Sequence, residues 1–292
     1  MQQPPASLLD RLSTSRLMPV RALPSAGIGE RQSRQKGAGM EFIDHRPYHE
    51  GDDIRHLDPH VMARTGDPVI REYAQSRQLP VTVLLDLSES MIAREGAKHR
   101  LATQIAQVLG YVALAAGDRV QVVVTSGNGL IWSPRWQGGA RAEALFGWID
   151  EQILGGAASF ADALRQVPEH LPARGLLILI SDWWDRGIRE RLDALDVAGQ
   201  DVIAVQVLAA HERSPELIGR GVVMLRDAES EEEAEVEINE PTLRRYAALL
   251  EAWQGELRDF FAARQWQFFA LDTRDDLTEF CMRTLRARGV LS

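Results

Sequence analysis

Cysteine is almost absent from this chain, with Cys281 the single example. That excludes an intrachain disulfide and a cysteine-built zinc site, and it suits a reducing compartment. There is no stretch of about 18 consecutive apolar residues, so no membrane-spanning helix is expected. The opening MQQPPASLLDRLSTSRLMPV lacks the charged start and apolar stretch of a secretory leader, and a cytoplasmic location is expected. Two catalytic signatures are missing as well. No G-x-x-x-x-G-K-[ST] phosphate loop appears, and DLSES is not the G-x-S-x-G elbow of a serine hydrolase. Net positive charge is lacking too: the formal charge is −9, which argues against a nucleic-acid binder. Basic excess is confined to residues 1–40, where Arg11, Arg16, Arg21, Arg31, Arg34 and Lys36 face only Asp10 and Glu30. Such an end is ordinarily a solvated arm.

What the chain does contain is a sizeable apolar fraction, 45% of 292 residues, enough for a large core. Short runs rich in β-branched residues predict buried parallel strands at Val81–Asp86, Val120–Thr125, Leu176–Ser181 and Val202–Leu208, with a fifth at Trp266–Leu271. Helical spacing of apolar residues predicts helices over Ala97–Ala116, Ala140–Gln152, Phe160–Val167, Ile188–Ala198, Leu243–Ala263 and Leu277–Arg288. Strand and helix thus alternate over 79–292, the pattern of an α/β, doubly wound, mostly parallel sheet with helices on both faces. Two pieces stand apart. Residues 1–78, polar and punctuated by Gly and Pro, read as a small β-rich or irregular N-terminal lobe. Residues 213–240 read as an inserted hairpin around the acidic stretch DAESEEEAE.

The first strand runs directly into DLSES. In an open α/β sheet, ligands bind at the carboxyl ends of the strands. Asp86, Ser88 and Ser90 place alternating oxygen side chains there, and Asp182 stands at the matching end of LLILIS. A hard cation such as Mg²⁺, or Mn²⁺ in its place, takes oxygen ligands of this kind. The same residues have a plainer use: Ser88 or Ser90 capping the next turn, and Asp86 holding loop backbone.

D-x-S-x-S after the first strand, with an Asp after a later central strand, resembles the metal-ion-dependent adhesion site of von Willebrand factor A domains. The stretch before it is more specific. GMEFIDHRPYHEGDDIRHLDPHVMARTGDPVIREY (Gly39–Tyr73) closely resembles the bacterial family called domain of unknown function 58, through Glu41, Phe42, Arg46, Tyr48, Gly51, Asp52, Asp53, Arg55, Asp58, Ala63 and Arg64. The resemblance is strong over about 37–208. It implies a von Willebrand factor A-like sheet and partnership with a MoxR-type AAA+ ATPase in assembling or maturing a client protein. Other von Willebrand factor A-domain proteins are further candidate partners. Two departures from the pattern stand out: Pro59 replaces the usual Trp, and Ala158 stands where the adhesion site takes a Thr hydroxyl. Ser159 is one residue on, but with Asp162 it also reads as a helix capping box.

Two other groups draw attention. His45, His49, His56 and His60 cluster among Asp52, Asp53 and Asp58, as a metal-dependent hydrolase would need. Pro47, Gly51 and Pro59 interrupt any helix that would align them, and the alternative is a structural polar network of Arg46, Tyr48, Asp52, Asp53, Arg55, Asp58 and Arg64. Trp183 and Trp184 follow Asp182 and offer an aromatic anchor for a partner, or one core and one covering residue. The expectation is a non-enzymatic protein-binding adaptor. Its metal ligands would be Asp86, Ser88, Ser90 and Asp182, with Ser159 as a further candidate, and the metal would accept a partner's carboxylate. The alternatives are the same fold with a non-functional metal site that binds through the aromatic rim, and the hydrolase.

Overall fold

The computed structural model describes residues 3–19, 40–49, 52, 54, 57–75, 78–92, 96–126, 129–152, 155, 159–185, 187–193, 195, 199–228 and 232–292. The chain divides into two compact units, one of Met1–Pro24 with Leu79–Ser292 and the other of Ser25–Gln78.

The larger unit begins with helix α1 (Ala6–Leu12), whose Leu8 and Leu12 are fully buried, as is Leu17 after it. Leu17 bridges Leu291, and the Met18 N–H donates to the Val290 carbonyl, so this segment is tied to the far end of the chain. Residues 3–19 therefore belong with the sheet unit, not with the N-terminal lobe expected over 1–78. Leu8, Leu12 and Leu17 need an apolar surface to cover them, and the sheet unit provides it.

In the smaller unit, strands β1 (Met40–Pro47) and β2 (Val69–Gln75) pair antiparallel, with a register shift between Phe42 and Asp44. Helix α2 (Pro59–Thr65) lies between them in sequence. Asp58 caps it by accepting from the N–H groups of His60 and Val61, and Pro59 occupies the first turn, where a missing N–H costs nothing. Gly66 closes it at φ 85°, a backbone conformation open to glycine.

The sheet of the larger unit grows from the β-branched runs. Strands β3 (Pro80–Asp86), β4 (Arg119–Ser126), β7 (Gly175–Ser181), β8 (Gln200–Leu208) and β11 (Gln267–Asp272) are mutually parallel. The short β5 (Gly129–Trp132) and β6 (Trp136–Gln137) pair antiparallel with β4. The spatial order is β11-β8-β7-β3-β4-β5. The first parallel strand, β3, thus lies between the second and the third, and the chain reverses its direction of winding between β3 and β7. Ligands of doubly wound sheets bind outside the carboxyl ends at such a point.

Both faces are covered. On one, Val83 and Leu85 pack with α4 (Ala97–Ala115), α5 (Ala142–Asp150) and the C-terminal segment. On the other, Leu84 and Val123 pack with α6 (Phe160–Gln166), α7 (Ile188–Asp193) and α9 (Glu240–Ala263). Each fully buried Leu or Val here contributes about 1.5–3 kcal/mol of transfer free energy. The remaining elements are α3 (Glu89–Ile92) after β3, α8 (Ala210–Arg213) after β8, and α10 (Leu277–Glu279), which continues as a π-helix over Phe280–Leu285. The expected hairpin is present as β9 (Gly221–Arg226) and β10 (Glu233–Ile238), two antiparallel strands forming their own sheet. Among the described residues, no helix is long and apolar enough to cross a membrane.

Candidate functional site: a carboxylate cluster at the switch point

Asp86 ends β3 and is only 2% exposed. Its Oδ1 accepts hydrogen bonds from the Thr125 hydroxyl of β4 (3.0 Å) and the Ser88 N–H (3.0 Å). Its Oδ2 accepts from the Ser181 hydroxyl of β7 (2.6 Å). One carboxylate therefore ties three adjacent strands at their carboxyl ends. Burial, and then the neighbouring Asp182 carboxylate, push Asp86 up to about 6. Ser88 and Ser90 follow, their hydroxyl oxygens 3.2 Å apart. The structure thus brings Asp86, Ser88, Ser90 and Asp182 to one end of the sheet.

The residue that sequence reading missed is Lys98. It stands in the first turn of α4, 2% exposed, and its Nζ lies 2.8 Å from Asp182 Oδ2 and 2.6 Å from Glu212 Oε1. A cation at a helix N-terminus runs against the helix dipole, so these carboxylates must outweigh that cost. Burial alone would favour neutral Lys98; Asp182 and Glu212 more than offset it and raise the ammonium above its ordinary value. Glu212, on α8, is pushed up by burial, and Lys98 pulls it back only part way. Asp182 is held further by the Trp184 N–H at its Oδ1 and by Gln206 Nε2 at its carbonyl. A signal for Lys98 was present: it precedes Leu101, Ala102 and Ile105 on the same buried helix stripe, where a charge requires a buried partner.

This donor set does not fit a divalent cation as it stands. The Asp182 oxygen a metal would need faces an ammonium, and both oxygens of Asp86 already accept from protein donors. Ser159 is also engaged. Its hydroxyl donates to Asp185 Oδ2 (2.5 Å) and accepts from the Asp162 N–H, which makes it the cap of α6. Ala158 lies outside the described residues. Asp86 and Asp182 are too deeply buried to be offered to another molecule.

Trp183 and Trp184 part company. Trp183 is 0% exposed, wedged edge-on against Phe160 and Phe261, with its indole N–H donating to the Val205 carbonyl. It adopts φ 64°, unusual for a bulky residue, and the packing on every side holds it there. It is a core residue, which corrects its expected place in a partner-binding rim. Trp184 remains 39% exposed. It lines a cavity of about 760 Å³ together with Ser90, the β9–β10 hairpin, α8 with the turn after it, and the first turns of α9. Tyr246 on that wall donates its hydroxyl to the Glu212 carbonyl, and burial raises its pKa to about 12. Cys281 is likewise buried, and burial pushes its thiol up to about 12.

In the smaller unit, Arg46 makes a two-pronged ion pair with Asp52, both contacts 2.7 Å. Together with the His49 N–H, Arg46 holds Asp52 down to about 2. His45 Nε2 lies 2.9 Å from Asp58 Oδ2, while Asp58 Oδ1 caps α2. Tyr48 anchors through its N–H to the Pro68 carbonyl, and Arg64 is exposed in the last turn of α2. Asp53, Arg55 and His56 lie outside the described residues. His49 and His60 are exposed. Among the described residues, no group of three or more His, Cys, Asp or Glu is placed to hold a metal ion.

Three relatives, Mb1516 of Mycobacterium bovis and MT1527 and Rv1480 of two Mycobacterium tuberculosis strains, are each 30% identical over 221 residues, covering 71% of this chain. The match spans 66% of each relative's length. Among solved structures, an aerotolerance-related membrane protein from Bacteroides fragilis aligns at 13% identity and TM-score 0.42 over 72% of this chain and 97% of that one. Proximal thread matrix protein 1 from the mussel byssus aligns at 18% identity and TM-score 0.37 over 45% of this chain and 38% of its own. The family model described as protein of unknown function DUF58 matches residues 44–255, which takes in the Arg46–Asp52 pair, the Asp86 and Lys98 cluster and the hairpin. This chain belongs to that family.

Proposed function

We propose that this chain is a non-enzymatic protein-binding module with a von Willebrand factor A-like sheet. It receives its partner at the carboxyl ends of β3 and β7 and in the adjoining hairpin-lined cavity. In this reading no divalent ion is required, because Lys98 supplies the positive charge that the buried carboxylates need. The observation that carries it is the position of the Lys98 ammonium, in hydrogen-bonding reach of both Asp182 and Glu212 behind the cavity. The exposed apolar side chains beside that cluster, Trp184 and Met224, supply contact area. The family resemblance points to a MoxR-type AAA+ ATPase and its client as partners, with the ATPase providing the energy.

A second reading keeps the metal. It is favoured by Ser88 and Ser90, whose hydroxyls converge beside Asp86 as two neutral oxygen donors. Capture of partners by the native protein with and without EDTA separates the two. Equal capture is expected, with loss on Trp184→Ala. Capture abolished by the chelator and by Asp86→Ala would favour the metal reading, and capture indifferent to every change at this end of the sheet would defeat both.

A further inference from the structure

The two readings of the site select opposite partners. An adhesion-type metal would draw a carboxylate. A cluster that already holds its cation, with more acids than bases around it, would repel one. Lys98 is shared between Asp182 and Glu212, so that trio alone carries an excess negative charge. On the cavity wall stand Asp185, Glu212 and Asp227, against Arg226 and His211. The hairpin adds Glu233, Glu235 and Glu237 at alternate positions of β10, opposite Arg226, Met224 and Val222 on β9. One face of that ribbon therefore presents a ladder of carboxylates beside exposed apolar side chains, with Met224 at 59% and Val222 at 64% exposed.

The rest of the cavity is apolar: Trp184, Ile218, Leu225, Ile238 and Leu243 contribute to its wall. A volume of about 760 Å³ admits several side chains, not one small ion. Among the described residues the hairpin is a two-stranded sheet, so each strand is paired on one side only, and such edges accept an extended segment through backbone hydrogen bonds.

From the chemistry of these walls we infer that the cavity docks an extended protein segment in which lysine or arginine alternates with apolar residues. The apolar side chains fill the space beside Trp184 and Leu225, and the cationic tips meet Asp185 and Asp227 on its wall. This rests on the docking surface proposed above and adds the identity of what it takes.

The test uses the full chain, labelled with ¹³C at the methionine methyls, and two short fluorescent peptides. One alternates leucine with arginine, the other leucine with glutamate. The arginine peptide is expected to bind at least about tenfold more tightly, roughly 1.4 kcal/mol, and to shift the Met224 methyl signal, identified with Met224→Leu. Because Met224 is exposed, charges introduced there leave the core intact. Met224→Lys is expected to weaken the arginine peptide and Met224→Glu to strengthen it, both effects shrinking as salt is added. If the glutamate peptide binds as well or better while moving Met224, the charge preference is wrong and the docking surface stands. If neither peptide moves Met224, the docking surface itself is wrong.

Discussion

Two acid–base clusters occupy the two units of this chain, and they differ in what surrounds them. Around Lys98, both the ammonium and Asp182 have side chains only 3% exposed, and their further partners are Glu212 for the ammonium and the Trp184 N–H for the carboxylate. Around Arg46, the side chains of the pair are 35% and 21% exposed. The contact lengths are nearly the same, 2.8 Å and 2.7 Å, so distance does not separate them. Solvent does. A buried charge has no substitute partner when its counter-ion is removed, whereas an exposed one is taken over by water.

The largest expected effect follows from that contrast. Lys98→Met should destabilise the sheet unit by about 3–5 kcal/mol, because Asp182 and Glu212 are left buried without a cation. Adding Asp182→Asn and Glu212→Gln should recover most of the loss, and urea denaturation of the single and triple variants measures both. Trp183→Ala should cost a comparable amount, about 3–5 kcal/mol, by emptying the space between Phe160 and Phe261, while Trp184→Ala should stay within about 0.5 kcal/mol. An equal cost for the two tryptophans would refute their division into core and surface.

The pH dependences should have opposite signs. Asp86 titrates near 6 when folded against an ordinary 3.8, so between those values the folded state holds a proton that the unfolded chain releases. Stability from this group is therefore present at low pH and falls as pH rises through about 4 to 6. Asp86→Asn should flatten that part of the profile, as followed by thermal melting. Asp52 is depressed to about 2, so its contribution is present above the ordinary carboxylate value and disappears as pH falls through about 4 to 2. Exchange of the His49 amide, which donates to Asp52, reads this locally. Arg46→Ala should give the smallest change of all, faster exchange at His49 with little shift in the overall melt.

The sequence shows the sheet clearly because each parallel strand is buried on both faces and must be a continuous apolar run, as β7 and β8 are. It shows Asp86 and Asp182 because both stand just past such runs. Lys98 is less legible. Its partners lie 84 and 114 residues away, and only its place on the buried stripe of α4 hints at them. The burial of Trp183 depends on a positive φ that no residue type there announces. The cavity is assembled from five separate segments, and apart from Ser90 at the end of DLSES its lining carries no motif, so periodicity has nothing to report. Leu8, Leu12 and Leu17 were visible as apolar residues, but which unit they cover is decided by the Leu17–Leu291 bridge across the whole chain.

The claim that most needs testing is that a lysine, not a metal, neutralises the buried acids at the switch point. Titration calorimetry of Mg²⁺ and Mn²⁺ into the native chain addresses it directly. With Lys98 resident, no saturable heat is expected, and EDTA should leave the melting temperature unchanged. A saturable one-to-one isotherm that vanishes on Asp86→Ala would show that the cation displaces Lys98, and the account would fail.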